Sequence, residues 1–119
     1  MKKGTENDAL RETLIFLEKS AKRNKAPVWS DVAMRLSASR RSRTEVNVGK
    51  LAKVTKADDV VVVPGKVLGA GELKHRLTLA SWSAANGVAK KVTKAGGKMV
   101  SIRELVGSNP GGKGVIIVR

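Results

Sequence analysis

The chain has 119 residues, 41% hydrophobic and 29% charged, the composition of one folded globular domain and not of a disordered tail. Its 24 Lys and Arg against 10 Asp and Glu leave a net charge of +14, which points to a polyanionic partner, either nucleic acid or an anionic membrane surface. The absence of cysteine excludes disulfides, thiolate metal ligands and thiol nucleophiles, and no apolar run approaches the roughly 20 residues of a spanning helix.

The first eight residues, M-K-K-G-T-E-N-D, carry no apolar signal region, so the expected location is cytoplasmic. Thr5 followed by Asp8 suits a helix start, and Leu10, Leu14, Leu17 and Ala21 fall on one helical face. This spacing predicts a first helix from about Asn7 to Arg23, closed by K-R-N-K-A-P because Pro27 cannot continue it. Ser30 is then read as the N-cap of a second helix, with Asp31 in its first turn and Trp29, Val32, Ala33 and Leu36 on its apolar face. S-A-S-R-R-S-R-T reads as a loop.

Val46 and Val48 alternate with polar residues while Leu51 and Val54 fall out of phase, which predicts a strand broken or bulged near Gly49. The run V-V-V-V-P-G-K-V-L over Val60–Leu68 predicts a central strand buried on both faces. Arg76–Trp82 reads as a further strand. A third helix is expected from a Ser81 or Ser83 cap, with Ala85, Val88, Ala89 and Val92 inward, and Ala95-Gly96-Gly97 stops it. Met99-Val100 reads as a short strand, Ser101 to Glu104 as a capping box opening a helix ended by Gly107, and Val115–Val118 as a last strand. The order defines a mixed α/β single domain with two N-terminal helices.

The charge is uneven along the chain. Residues 57–80 hold three basic and three acidic side chains, whereas residues 81–119 hold seven and one. A near-neutral core under basic surfaces follows. Arg40, Arg41 and Arg43 are the strongest candidates for binding, because three guanidinium groups in four residues repel one another and suit phosphates; a solvated basic loop is the alternative. Lys50, Lys53 and Lys56 recur every three residues and would line a groove only on a non-strand segment; ordinary surface lysines explain them as well. Lys90, Lys91 and Lys94 suit a phosphate-facing helix surface and equally a solvated one.

Other patterns carry less. With Phe16, Trp29 and Trp82 as the only aromatics, the chain offers no extended stacking platform, and both tryptophans are read as core. Gly107 to Lys113 matches the opening of a phosphate-binding loop, but Gly114 replaces the Mg²⁺-binding hydroxyl and a strand follows where a helix is required. Gly69-Ala70-Gly71 lacks the third glycine of a dinucleotide fingerprint. His75 stands without a nucleophile or carboxylate pattern and reads as a surface or junction residue; Asp58-Asp59 reads as a turn. No catalytic residue, metal site or cofactor is expected.

Taken together, Val63-Pro64-Gly65-Lys66-Val67-Leu68-Gly69 with Gly71 resembles the hallmark of the ribosomal protein eighteen-e family, found in the large subunit of archaea and eukaryotes and related to bacterial ribosomal protein fifteen. Supporting pieces follow in order: Trp29 with Val32-Ala33 and Leu36, Arg40-Arg41 with Arg43, Val46-Asn47-Val48, Ala95-Gly96-Gly97 and Asn109-Pro110. Ser39 stands where members often carry proline, and the first helix lacks an Asn-Pro start. The short chain looks archaeal. The resemblance implies an irregular β-β-α superhelical core, large-subunit ribosomal RNA as ligand, neighbouring ribosomal proteins as minor contacts, and no catalysis. It makes Arg40, Arg41 and Arg43 the best candidates for RNA contact and adds Lys66 at a rigid turn, where a plain surface lysine is the alternative; Lys50, Lys53, Lys90 and Lys94 join the candidates from the charge pattern alone. A monomer when free, with no membrane and no small-molecule substrate, is expected. The rivals are a free-standing DNA-binding architectural protein and a nucleotide hydrolase using Gly107–Lys113.

Overall fold

A computed structural model describes residues 6–38 and 44–119. The elements run α1 (Glu6–Asn24), α2 (Pro27–Leu36), β1 (Thr44–Asn47), α3 (Val48–Val54), β2 (Val60–Leu68), β3 (Thr78–Ala84), α4 (Val88–Lys94), β4 (Lys98–Val100), α5 (Ile102–Ser108) and β5 (Val115–Ile117).

All strand pairings in the sheet are parallel. β2 is its axis: β3 lies along one side, with β4 beyond it. β5 and β1 share the other side, β5 against Val60–Val62 and β1 against Gly65–Leu68. A parallel sheet covered on both faces needs apolar residues at consecutive positions, and this is why four valines stand in a row. Val61 and Val63 enter one apolar layer with Leu51 of α3, Val88 and Val92 of α4, and Leu73 and Leu77 of the 69–77 segment. Val62 and Ala80 enter the other with Leu17 of α1, Trp29, Val32 and Leu36 of α2, and Ile102 and Leu105 of α5. The mixed α/β fold with two leading helices is therefore as expected, and the sheet is the layer between two helical coats.

The register along β2 and β3 shifts between Val63 and Lys66, where Pro64 and Gly65 intervene. A Cβ on Gly65 would lie 2.8 Å from the carbonyl carbon of Thr44, so only glycine lets β1 approach.

Four local expectations need correction. Pro27 does not merely end α1; it is the first residue of α2, whose N-cap is Ala26, so Ser30 lies inside the helix and its hydroxyl donates to Glu18 at 3.0 Å. The pattern after Asn47 is a helix, α3, and not a broken strand: Val48 and Leu51 are buried at helical spacing. The third long apolar pattern starts later than a Ser81 or Ser83 cap implies, because β3 continues through Ala84, paired to Val67, and Gly87 caps α4 at φ 90°. Ala89 is exposed, leaving Val88 and Val92 to face the core.

Two helix ends behave as read. Ser101 and Glu104 form a reciprocal capping box at α5, with bonds of 3.0 and 2.8 Å. At the end of α4, Gly96 takes φ 88°, its N–H donates to Thr93 O and that of Gly97 to Val92 O, each at 2.9 Å, a Schellman closure.

Candidate nucleic-acid interface

Arg40, Arg41 and Arg43, with Ser39 and the Thr5 cap, lie outside the described residues. The lysines can be placed. Lys50 and Lys53 are exposed one turn apart on α3, so the helix makes neighbours of residues that a strand would have separated. Lys50 Nζ donates to Arg119 O at 2.6 Å. Lys56 follows the helix, and its N–H donates to Asp59 Oδ2 at 2.7 Å, the turn role expected of that aspartate. Lys66 is the one exposed side chain of β2 and stands in register with Glu45 of β1 and Ser83 of β3. Lys90 and Lys94 are exposed and one turn apart on α4.

Lys91 differs from its neighbours. Its ammonium donates to Gly69 O at 2.7 Å and Gly71 O at 2.6 Å and pairs with Glu72 at 3.1 Å. Those three acceptors use its three donors. It is therefore a clamp, and the phosphate-facing reading of the Lys90–Lys94 trio is corrected at this position. The same turn is held from α3 and β1: Gly49 N–H donates to Ala70 O at 2.9 Å, and Asn47 Oδ1 accepts from Ala70 N–H at 3.2 Å. The Gly69–Gly71 turn thus joins β2, α3 and α4, the elements that carry Lys50, Lys53, Lys66, Lys90 and Lys94.

The described ion pairs consume few cations. Arg35 pairs with Asp31, Arg76 with Asp58, and Lys91 with Glu72. The Arg76 fork donates to both oxygens of Asp58, at 2.6 and 2.9 Å. This hydrogen bonding, helped by the guanidinium charge, holds the Asp58 carboxyl below its ordinary value and raises Arg76. Lys53, Lys66, Lys90 and Lys94 have no such partner among the described residues.

The remaining motifs serve the fold. Trp29 is fully buried inside α2, and its indole N–H donates to Pro110 O at 2.8 Å. Gly112, at φ 67°, sits against Val28, where any Cβ would clash. The Gly107–Lys113 string is thereby spent docking the last turn onto α2. Thr55 gives its proton to Leu51 O at 2.6 Å, so the 2.8 Å contact with His75 requires Nε2–H of the half-buried ring as donor. Among the described residues no group of His, Asp or Glu is placed to hold a metal ion, and no helix is long and apolar enough to cross a membrane.

These features define a class: a basic α/β protein with sealed apolar layers and, among the described residues, exposed lysines without ion-pair partners on the covering helices and one strand. Residues 3–119 match the family of ribosomal protein 60S L18 and 50S L18e, and the chain belongs to that family. It is similar to proteins named large ribosomal subunit protein eL18. That of Pyrobaculum aerophilum is 45% identical, over 97% of this chain and 94% of its own. That of Methanopyrus kandleri is 43% identical over the same shares. That of Archaeoglobus fulgidus is 46% identical over 85% of this chain and 86% of its own. The family is one of structural ribosomal proteins and not of enzymes.

Proposed function

We propose that this chain is a structural constituent of the large subunit of the cytoplasmic ribosome, binding folded ribosomal RNA by neutralising its phosphates. The observation that carries this reading is the division of charge. Three described cations are tied to carboxylates, while Lys53, Lys66, Lys90 and Lys94 have no ion-pair partner among the described residues and stand on elements locked together by one turn. Arg40, Arg41 and Arg43 add three guanidinium groups to the same surplus. Cations held on a stiff frame displace counterions from converging phosphates, and the frame fixes where the strands may approach. In this reading residues 1–119 act as one RNA-binding domain, monomeric when free, with neighbouring ribosomal proteins as secondary contacts and no small-molecule substrate.

Competition binding tests the proposal. The chain should retain structured large-subunit RNA against an excess of duplex DNA of equal phosphate content. Preference for the duplex would instead favour the architectural DNA-binding rival.

A further inference from the structure

Beside α1, where it meets β3 and α5, a cavity of about 150 Å³ is lined by Thr13, Ser81, Trp82, Ser101, Ile102 and Arg103. Thr13 is only 7% exposed, yet its hydroxyl has no hydrogen-bond partner among the described residues. No described side-chain polar atom is both sealed from solvent and unpaired. The Thr13 hydroxyl is therefore not sealed from solvent, and Thr13 is part of the cavity wall. Ser81 Oγ and the Trp82 indole N–H are likewise without protein partners among the described residues. Unlike Trp29, Trp82 is only half-buried. Arg103 is exposed and lies over the Phe16 ring at 4.8 Å, and a planar guanidinium so placed at the cavity wall can also stack on a base. Glu104 is the one acid in residues 81–119, and its carboxylate is already engaged by Ser101 N–H at 2.8 Å.

We propose that this cavity receives a single unpaired nucleobase of the RNA, stacked against Trp82 or Arg103 with its edge hydrogen-bonded by Thr13 and Ser81. The inference rests on the RNA-binding reading above and adds a local, base-contacting site to it. A bare phosphate would not use the planar groups, and an aliphatic side chain would leave three polar groups unpaired. A base offers both a flat face and an edge of donors and acceptors. Three aromatics make no stacking platform, but Trp82 with the Arg103 guanidinium suffices for one pocket.

The test titrates the full chain with deproteinised archaeal large-subunit RNA and reads tryptophan emission, which follows Trp82 because Trp29 is sealed in the core. Binding should quench that emission. Thr13→Val and Arg103→Lys, the second keeping charge but not planarity, should each weaken binding, by roughly tenfold for the stacking contact, without changing the salt slope. Thermal melts matched to the parent separate this from unfolding, and Ser81→Ala carries the comparison if Thr13→Val does not fold. RNA binding with the usual salt slope, unaltered emission and unaltered variants would overturn the pocket and leave the RNA-binding reading standing. Failure of the parent chain to bind RNA would remove both. Quenching by a neighbouring ribosomal protein in place of RNA would also overturn the inference.

Discussion

A Cβ built on Gly71 would lie 2.6 Å from the Cα of Gly49 and 2.8 Å from its nitrogen, so the two glycines pass backbone to backbone. Gly71 also holds φ 90°. Gly71→Ala should therefore suffer twice, from the left-handed backbone and from the collision, and lose about 2 kcal/mol or more. Gly87 is the control: it has the same φ, but nothing stands within 4 Å of its would-be Cβ. Gly87→Ala should lose only about 1 kcal/mol. Urea midpoints of the two variants measure the difference, and equal losses would contradict the close approach.

Lys91 and Lys90 are adjacent in sequence and opposite in role. Lys91→Met strips the Gly69 and Gly71 carbonyls of their donor and should cost about 1–2 kcal/mol of stability. Lys90→Met should leave stability within about 0.5 kcal/mol. If Lys90 meets a phosphate, its removal should also lower the salt slope of RNA binding by about 0.7–0.9 units. Paired denaturation and salt titrations read both effects.

Asp58 has φ 70°, a conformation asparagine also tolerates, so Asp58→Asn removes the charge while sparing the backbone. Its folded-state pKa is depressed by Arg76. The unfolded carboxyl binds its proton more readily, so the pair stabilises the fold at neutral pH. That contribution fades as pH falls below the ordinary value of 3.8 through the lower folded value. The stability gap between parent and variant should be present near neutrality and close in acid. A gap that persists in acid would mean that something other than the ion pair is lost.

How far the sequence reveals this arrangement depends on the range of each signal. The α5 capping box and the Gly96 closure are local, and both stand as read. Val60–Leu68 is visible because burial on both faces leaves an uninterrupted β-branched run. Pro27 is ambiguous by nature, since it stops one helix and suits the first position of the next. The extension of β3 to Ala84 depends on pairing with Val67, and no local pattern separates Ser81 and Ser83 from helix caps. The candidate lysines Lys50, Lys53, Lys66, Lys90 and Lys94 are all exposed, as their chemistry suggests. The separate role of Lys91 is hidden because its acceptors lie some 20 residues away in a turn.

The arginine cluster carries a further prediction. Replacing Arg40, Arg41 and Arg43 with alanine should weaken RNA binding and flatten the salt slope by about 0.7–0.9 units for each phosphate left without its cation. Melting behaviour should barely move, because three like charges so close in sequence repel one another and contribute little to the fold. An unchanged slope in the triple variant would remove these arginines from the interface.

The most direct test of the account is where the native protein sediments. On a sucrose gradient of a cell lysate at moderate ionic strength it should travel with large subunits and leave them as salt is raised, through competition for phosphates. Native protein confined to the top of the gradient, and unable to bind purified large-subunit RNA under the same conditions, would contradict it.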